Sequence, residues 1–116
     1  MFRITSGKGF HITFPNGITI STQFGGGNYC DNYNDRIGHD NPESISSSNC
    51  EIGIWRHGGE WCTGEVVKAA GLEDEFGGDM VAGYVSMENW LKLLNAAVNL
   101  PHRCTELECK GDSNDK

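Results

Sequence analysis

No stretch of this 116-residue chain approaches the ~20 consecutive apolar residues that span a bilayer. Its opening, MFRITSGKGF, lacks the charged-then-apolar layout of a secretory signal, so the expected location is cytoplasmic. Basic side chains are scarce: nine Lys and Arg stand against sixteen Asp and Glu, a net charge of −7. Binding to nucleic-acid phosphates rests on cationic groups that release counterions, so direct nucleic-acid binding is disfavoured, as is a bare anionic membrane surface. An acidic surface suits a basic protein partner or simple solubility. No internal repeat or linker divides the sequence. One domain over residues 1–110, followed by a flexible polar tail at 111–116, is therefore expected.

Complete catalytic and metal motifs are also missing. His11-Ile-Thr13 matches the H-x-T element of two-histidine phosphoesterases, but that chemistry needs a general base and a general acid on opposite sides of the phosphate. The surroundings of His39, His57 and His102 supply no second copy. A small hydrolase or phosphodiesterase using His11 is carried as one alternative. Cys30, Cys50, Cys62, Cys104 and Cys109 make an odd count, which without a secretory signal reads as free thiols rather than a disulfide framework. Asp31 and Asp35 beside Cys30 favour the neutral thiol, the wrong state for a nucleophile. No C-x-x-C pair anchors a zinc site. Cys104 and Cys109 would converge on a metal only from a loop, and a zinc-stabilised interaction domain is the other alternative. The glycine run at 25–27 has no Lys-Ser/Thr element behind it, so it is not a triphosphate-binding loop. No catalytic residue, metal ligand or cofactor is assigned.

What is present begins with FHITFPNGITISTQF at 10–24. A three-residue turn at Pro15-Asn16-Gly17 pairs Phe14 with Ile18, Ile12 with Ile20 and Phe10 with Thr22, which puts the apolar side chains on one face. The other face carries His11, Thr13, Thr19 and Ser21. CEIGIWRHGGEWCT at 50–63 reads as a second hairpin turning at Gly58-Gly59, EVVKAAG is ambiguous between strand and helix, and MVAGYV reads as a strand. Ser86 fits an N-cap for a helix over 87–100 whose stripe is Met87, Trp90, Leu91, Leu94, Ala97 and Val98. The fold class expected is α+β, an antiparallel sheet of about four to six strands covered on one face by the C-terminal helix.

Between the hairpins, FGGGNYCDNYNDR at 24–36 gathers three glycines, three asparagines and two tyrosines in thirteen residues. Long connections in compact domains are usually functional or mobile. Amides that adapt their hydrogen bonding, flat tyrosine rings and one guanidinium equip this segment to recognise a nucleotide-like ligand or a protein surface. The candidate binding residues are Gly26, Gly27, Asn28, Tyr29, Asp31, Asn32, Tyr33 and Arg36, with His11 alongside.

The segments GKGFHITFPNGITISTQFGGGNYCDN, NCEIGIW and GYVSMENWLKLL resemble, in order from Gly7 to Leu94, the layout of small bacteriophage- and prophage-encoded proteins. That resemblance implies an accessory protein working in the host cytoplasm, in a group that includes anti-CRISPR proteins and sponges for cyclic nucleotide signals. It carries no site residue over. The function expected is a non-enzymatic binding protein, possessing either a host protein or a small nucleotide-like molecule as partner, with homo-oligomerisation left open.

Overall fold

A computed structural model of the chain describes residues 1–5, 8–34, 46–76 and 80–101. Five strands form one antiparallel meander in chain order: β1 (Phe2–Thr5), β2 (Gly9–Thr13), β3 (Thr19–Gln23), β4 (Asn49–Trp55) and β5 (Val81–Ser86). Two helices complete it, α1 (Thr63–Ala69) between β4 and β5, and α2 (Met87–Asn99) after β5. This is the expected α+β class. The predicted tail at 111–116, together with Cys104 and Cys109, lies outside the described residues.

The first hairpin keeps the register read from its turn. Ile12 pairs with Ile20 and Phe10 with Thr22, and the Phe14 N–H donates to the Ile18 carbonyl at 2.9 Å. Gly17 closes the turn at a φ of 86°, a conformation that Cβ-bearing residues resist. Asn16 then ties this turn to the helix end, its Nδ2 donating to the Ala97 and Leu100 carbonyls at 2.7 and 2.9 Å. Carbonyls of the last turn lack the usual partner four residues on, and here the Ala97 carbonyl also accepts the Leu100 N–H at 3.3 Å.

Three elements differ from expectation. The second hairpin turns near Gly58-Gly59, with Arg56 N–H donating to Glu60 O at 2.7 Å, but its return strand shrinks to a single Trp55–Trp61 bridge. The chain then enters α1, because Thr63 Oγ1 accepts from Ile54 N–H at 3.0 Å and donates to the Met80 carbonyl at 2.6 Å, locking the turn in place. EVVKAAG is thus mostly helical, with Val66 and Val67 buried. A further strand, β1, extends the sheet beyond β2.

The third difference is the phase of α2. Ser86 caps it as expected, its side chain accepting from Asn89 N–H at 3.2 Å. The residues packed under the helix, however, are Leu93 and Ala97, with Trp90 half-buried beside them. Met87, Leu91 and Val98, placed in the core stripe by periodicity, stand exposed. Trp90 sets this rotation: its Nε1 donates to the buried Thr22 hydroxyl at 2.8 Å and its ring meets Phe10 edge-on at 6.4 Å. The core itself runs between the helices and the central strands, through Ile18, Ile20, Ile52, Ile54, Val66, Val85 and Leu93.

Candidate functional site

The loop after β3 folds against the sheet face opposite the helices. Asn32 organises it from inside. Only 7% exposed, its Oδ1 accepts from Gly25 N–H at 2.9 Å and from the buried Cys30 thiol at 3.0 Å, and its Nδ2 donates to the Ser46 carbonyl at 3.3 Å. Asn28 does similar work, donating to the Phe24 carbonyl at 2.8 Å. Two of the three glycine amides are also engaged within the loop, Gly25 as above and Gly27 with the Tyr33 carbonyl at 3.2 Å. Gly26 offers its carbonyl to Lys8 Nζ at 3.1 Å. An anion nest over 25–27 is therefore not what these amides form, and Asn28 and Asn32 brace the loop instead of facing a ligand. Burial likewise removes Cys30 from the surface where a nucleophile acts.

Bonds to β4 and β5 fix the loop to the sheet. Tyr29 N–H donates to Glu51 Oε2 at 2.9 Å and Asp31 N–H to Asn49 Oδ1 at 2.7 Å, while Asp31 Oδ2 accepts from the Ser48 hydroxyl. Across the loop, β5 is bulged: Cys50 pairs with Val85 and Ile52 with Ala82, leaving Gly83 and Tyr84 opposite Glu51 alone. The bulge turns the Tyr84 N–H out of the ladder to the Tyr29 carbonyl at 2.8 Å. Tyr84 holds a φ of 53°, the left-handed region that a bulky side chain occupies at a cost of roughly 1–3 kcal/mol.

This docking presents tyrosines outward. Tyr29 and Tyr33 stack with ring centroids 6.3 Å apart and planes 16° from parallel, and they are 54% and 41% exposed. Tyr84, not among the candidates read from sequence, is 54% exposed on the neighbouring strand. Its signal was absent from local pattern, because the bulge arises from pairing between segments thirty residues apart. Arg36 lies outside the described residues.

Gly83 makes the close approach feasible. A Cβ built there would sit 2.7 Å from the Tyr29 Cβ, inside any tolerable contact. Gly83→Ala is expected to lift the loop at Tyr29 and cost about 1–3 kcal/mol, the range for overpacking. Thermal unfolding checks the stability, and tyrosine fluorescence checks the displaced ring.

His11 is on the same sheet face but belongs to a second aromatic group. Its imidazole meets Trp55 edge-on at 5.0 Å, and Trp55 meets Trp61 at 5.3 Å and 70°. Trp55 was not among the residues singled out from sequence, although its place in the alternation after Ile52 and Ile54 puts it on this face. Burial, and secondarily the Arg3 charge, lower the His11 pKa below its ordinary 6.5. The unfolded chain therefore takes up this proton first as pH falls. Stability from His11 is complete above about 6.5 and is lost through the range below it, down to the folded-state pKa. His11→Gln is expected to flatten that acid slope in melting temperature measured from pH 7 to about 5; an unchanged slope contradicts the assignment.

Among the described residues no group of three or more His, Cys, Asp or Glu is placed to hold a metal ion. No helix among them is long and apolar enough to cross a membrane. Burial pushes the Cys50 thiol up to about 12, so it stays protonated and inert at neutral pH. Fold and loop together define an antiparallel α+β domain with a braced, tyrosine-bearing loop on its open sheet face. No family model, curated protein or solved structure matches the chain.

Proposed function

We propose that the protein is a non-enzymatic binding protein, of the kind phages use against host defences, acting by occupying a host protein or sequestering a nucleotide-like signal. One observation carries this reading: two stacked, exposed tyrosines are held on a loop whose polar groups bond inward and to the sheet. Aromatic rings give large contact area at small entropic cost, and a surface fixed in advance loses little freedom on binding. The strain at Tyr84 supports the same reading, since strained backbone is retained where the surrounding structure enforces it, often at binding sites.

Affinity capture from host cytoplasm, followed by mass spectrometry of protein and small-molecule fractions, separates the two kinds of partner. A nucleotide-like ligand is expected to raise the melting temperature of the purified chain. A basic host protein is expected to be released as salt rises, through acidic groups such as Glu73 and Asp74. The capture uses wild-type chain and a Tyr29→Ala, Tyr33→Ala variant in parallel. A partner held equally by both sinks the proposal. Turnover of a cyclic or linear nucleotide that His11→Ala abolishes without unfolding would replace it with the hydrolase reading.

A further inference from the structure

The helix-covered sheet face is covered only in part. α1 packs along one flank of α2, where Ala69 and Ala70 face Lys92, Asn95 and Ala96 across a shared cleft. Trp90 reaches Phe10 on β2 from the other flank. At 100° per residue, Met87, Leu91, Leu94 and Val98 line that second flank, turned toward β2 and away from α1. Below them the sheet continues past the helix. Phe2 pairs with Ile12 and Ile4 with Phe10, so these four share the α2 face. Phe2 is 76% exposed, Ile4 80% and Met87 73%.

The result is a notch with an apolar floor from β1 and β2 and an apolar wall from α2. With Phe10, Ile12 and Leu94 half-buried at its base, it leaves roughly 700 Å² of apolar side chain bare at ordinary residue areas. The largest apolar patch on a typical monomer is about 300–600 Å², whereas a stable interface buries about 800 Å² per partner. Among the described residues, no ionisable side chain belongs to the floor or the wall. A cavity of about 270 Å³ bounded by Phe10, Phe24, Met87 and Trp90 opens at one end, with room for a bulky side chain.

We infer that this notch is a homodimer interface, occupied by the same notch of a second copy packed face to face. Self-association is favoured over another partner for two reasons. The surface is a ridge beside a groove, so a two-fold axis sets each ridge into the other groove, the isologous arrangement most common among soluble oligomers. It is also uncharged on a chain of net charge −7, so it offers no complementarity to a basic partner, yet it is where two acidic copies meet without opposing their charges. Edge-to-edge pairing through β1 is a poorer fit. Thr13 N–H bonds to the Met1 carbonyl and Lys8 N–H to the Thr5 carbonyl, so Phe2 and Ile4 turn their own N–H and C=O to the free edge. The symmetric register with the most paired groups, Phe2 against Ile4 of the second copy, would set the two Arg3 side chains against each other.

Sedimentation velocity of the full chain, from about 1 to 300 μM, tests this. The expected mass is twice the 12.7 kDa monomer, with a Kd of about 10 μM or tighter. Added salt is expected to strengthen the dimer, because it screens net repulsion while leaving apolar contact intact. Ile4→Glu on the floor and Leu91→Glu on the wall are each expected to weaken it at least ~50-fold, while circular dichroism and melting of the dilute chain stay unchanged. A monomer throughout the range overturns the inference and assigns the notch to another occupant. A dimer indifferent to both variants overturns it equally, by placing the interface elsewhere.

Discussion

Replacing Leu93 with alanine is expected to lower the unfolding free energy by about 3–4 kcal/mol, whereas Leu91→Ala, two residues away on the same helix, is expected to stay within about 0.5 kcal/mol. Leu93 is fully buried between α2 and the sheet, so truncation loses its transfer free energy and leaves a void that rigid neighbours close only partly. Leu91 is 55% exposed and loses little by becoming smaller. A domain of this size holds about 5–15 kcal/mol in total, so Leu93→Ala threatens folding near body temperature. Both measurements belong on the dilute, dissociated chain, where the notch is not covered by a second copy. Losses reversed between the two positions would mean that α2 is rotated by about half a turn from the arrangement described, and equal losses would mean about a quarter turn.

The second large effect concerns binding. Tyr29→Ala combined with Tyr33→Ala is expected to cost at least ~2 kcal/mol of affinity for the captured partner, or about 30-fold in Kd, at unchanged stability. Stability is spared because both rings are substantially exposed and the loop is held by other groups. Gly25, Asn28, Cys30, Asn32 and Asp31 supply that bracing, and Glu51, Asn49 and Tyr84 anchor it. Asn32→Ala gives the complementary pattern. Removing a buried side chain that serves Gly25, Cys30 and Ser46 destabilises the loop by about 1–3 kcal/mol, and binding weakens only as the loop loosens. Isothermal titration with the captured partner, beside thermal melts of each variant, separates the two behaviours.

How far each of these features was legible in sequence depended on the range of the interaction that sets it. The first hairpin was readable because Pro15-Asn16-Gly17 and the flanking alternation demand the same register. The existence of α2 and its Ser86 cap were equally local. Its rotation was not. The stripe read from periodicity, Met87, Trp90, Leu91, Leu94, Ala97 and Val98, is met in part: Trp90, Leu94 and Ala97 pack at the core, but the helix is turned so that Leu93, outside that stripe, is fully buried while Met87, Leu91 and Val98 are exposed. That rotation falls to contacts with distant segments: Trp90 with Thr22 and Phe10, and Asn16 with the helix C-terminus. β1 escaped because four alternating residues are too short a pattern, and α1 because Thr63 is held by Ile54 and Met80. In the loop, composition marked the segment but not its division of labour. Asparagine suits bracing and recognition equally, so only the fold separates Asn28 and Asn32, turned inward, from Tyr29 and Tyr33, turned outward. Tyr84 joined them through a bulge that no local pattern announces.

The central claim is that the tyrosine-bearing loop and the β5 bulge form the surface that meets the partner. Hydrogen–deuterium exchange of the wild-type chain, free and saturated with its captured partner, tests it without any substitution. New protection is expected over residues 25–34 and around Gly83 and Tyr84, with the α2 flank and residues 72–76 unchanged. Protection confined to 72–76, or to the α2 flank, with the loop exchanging as in the free chain, would contradict it.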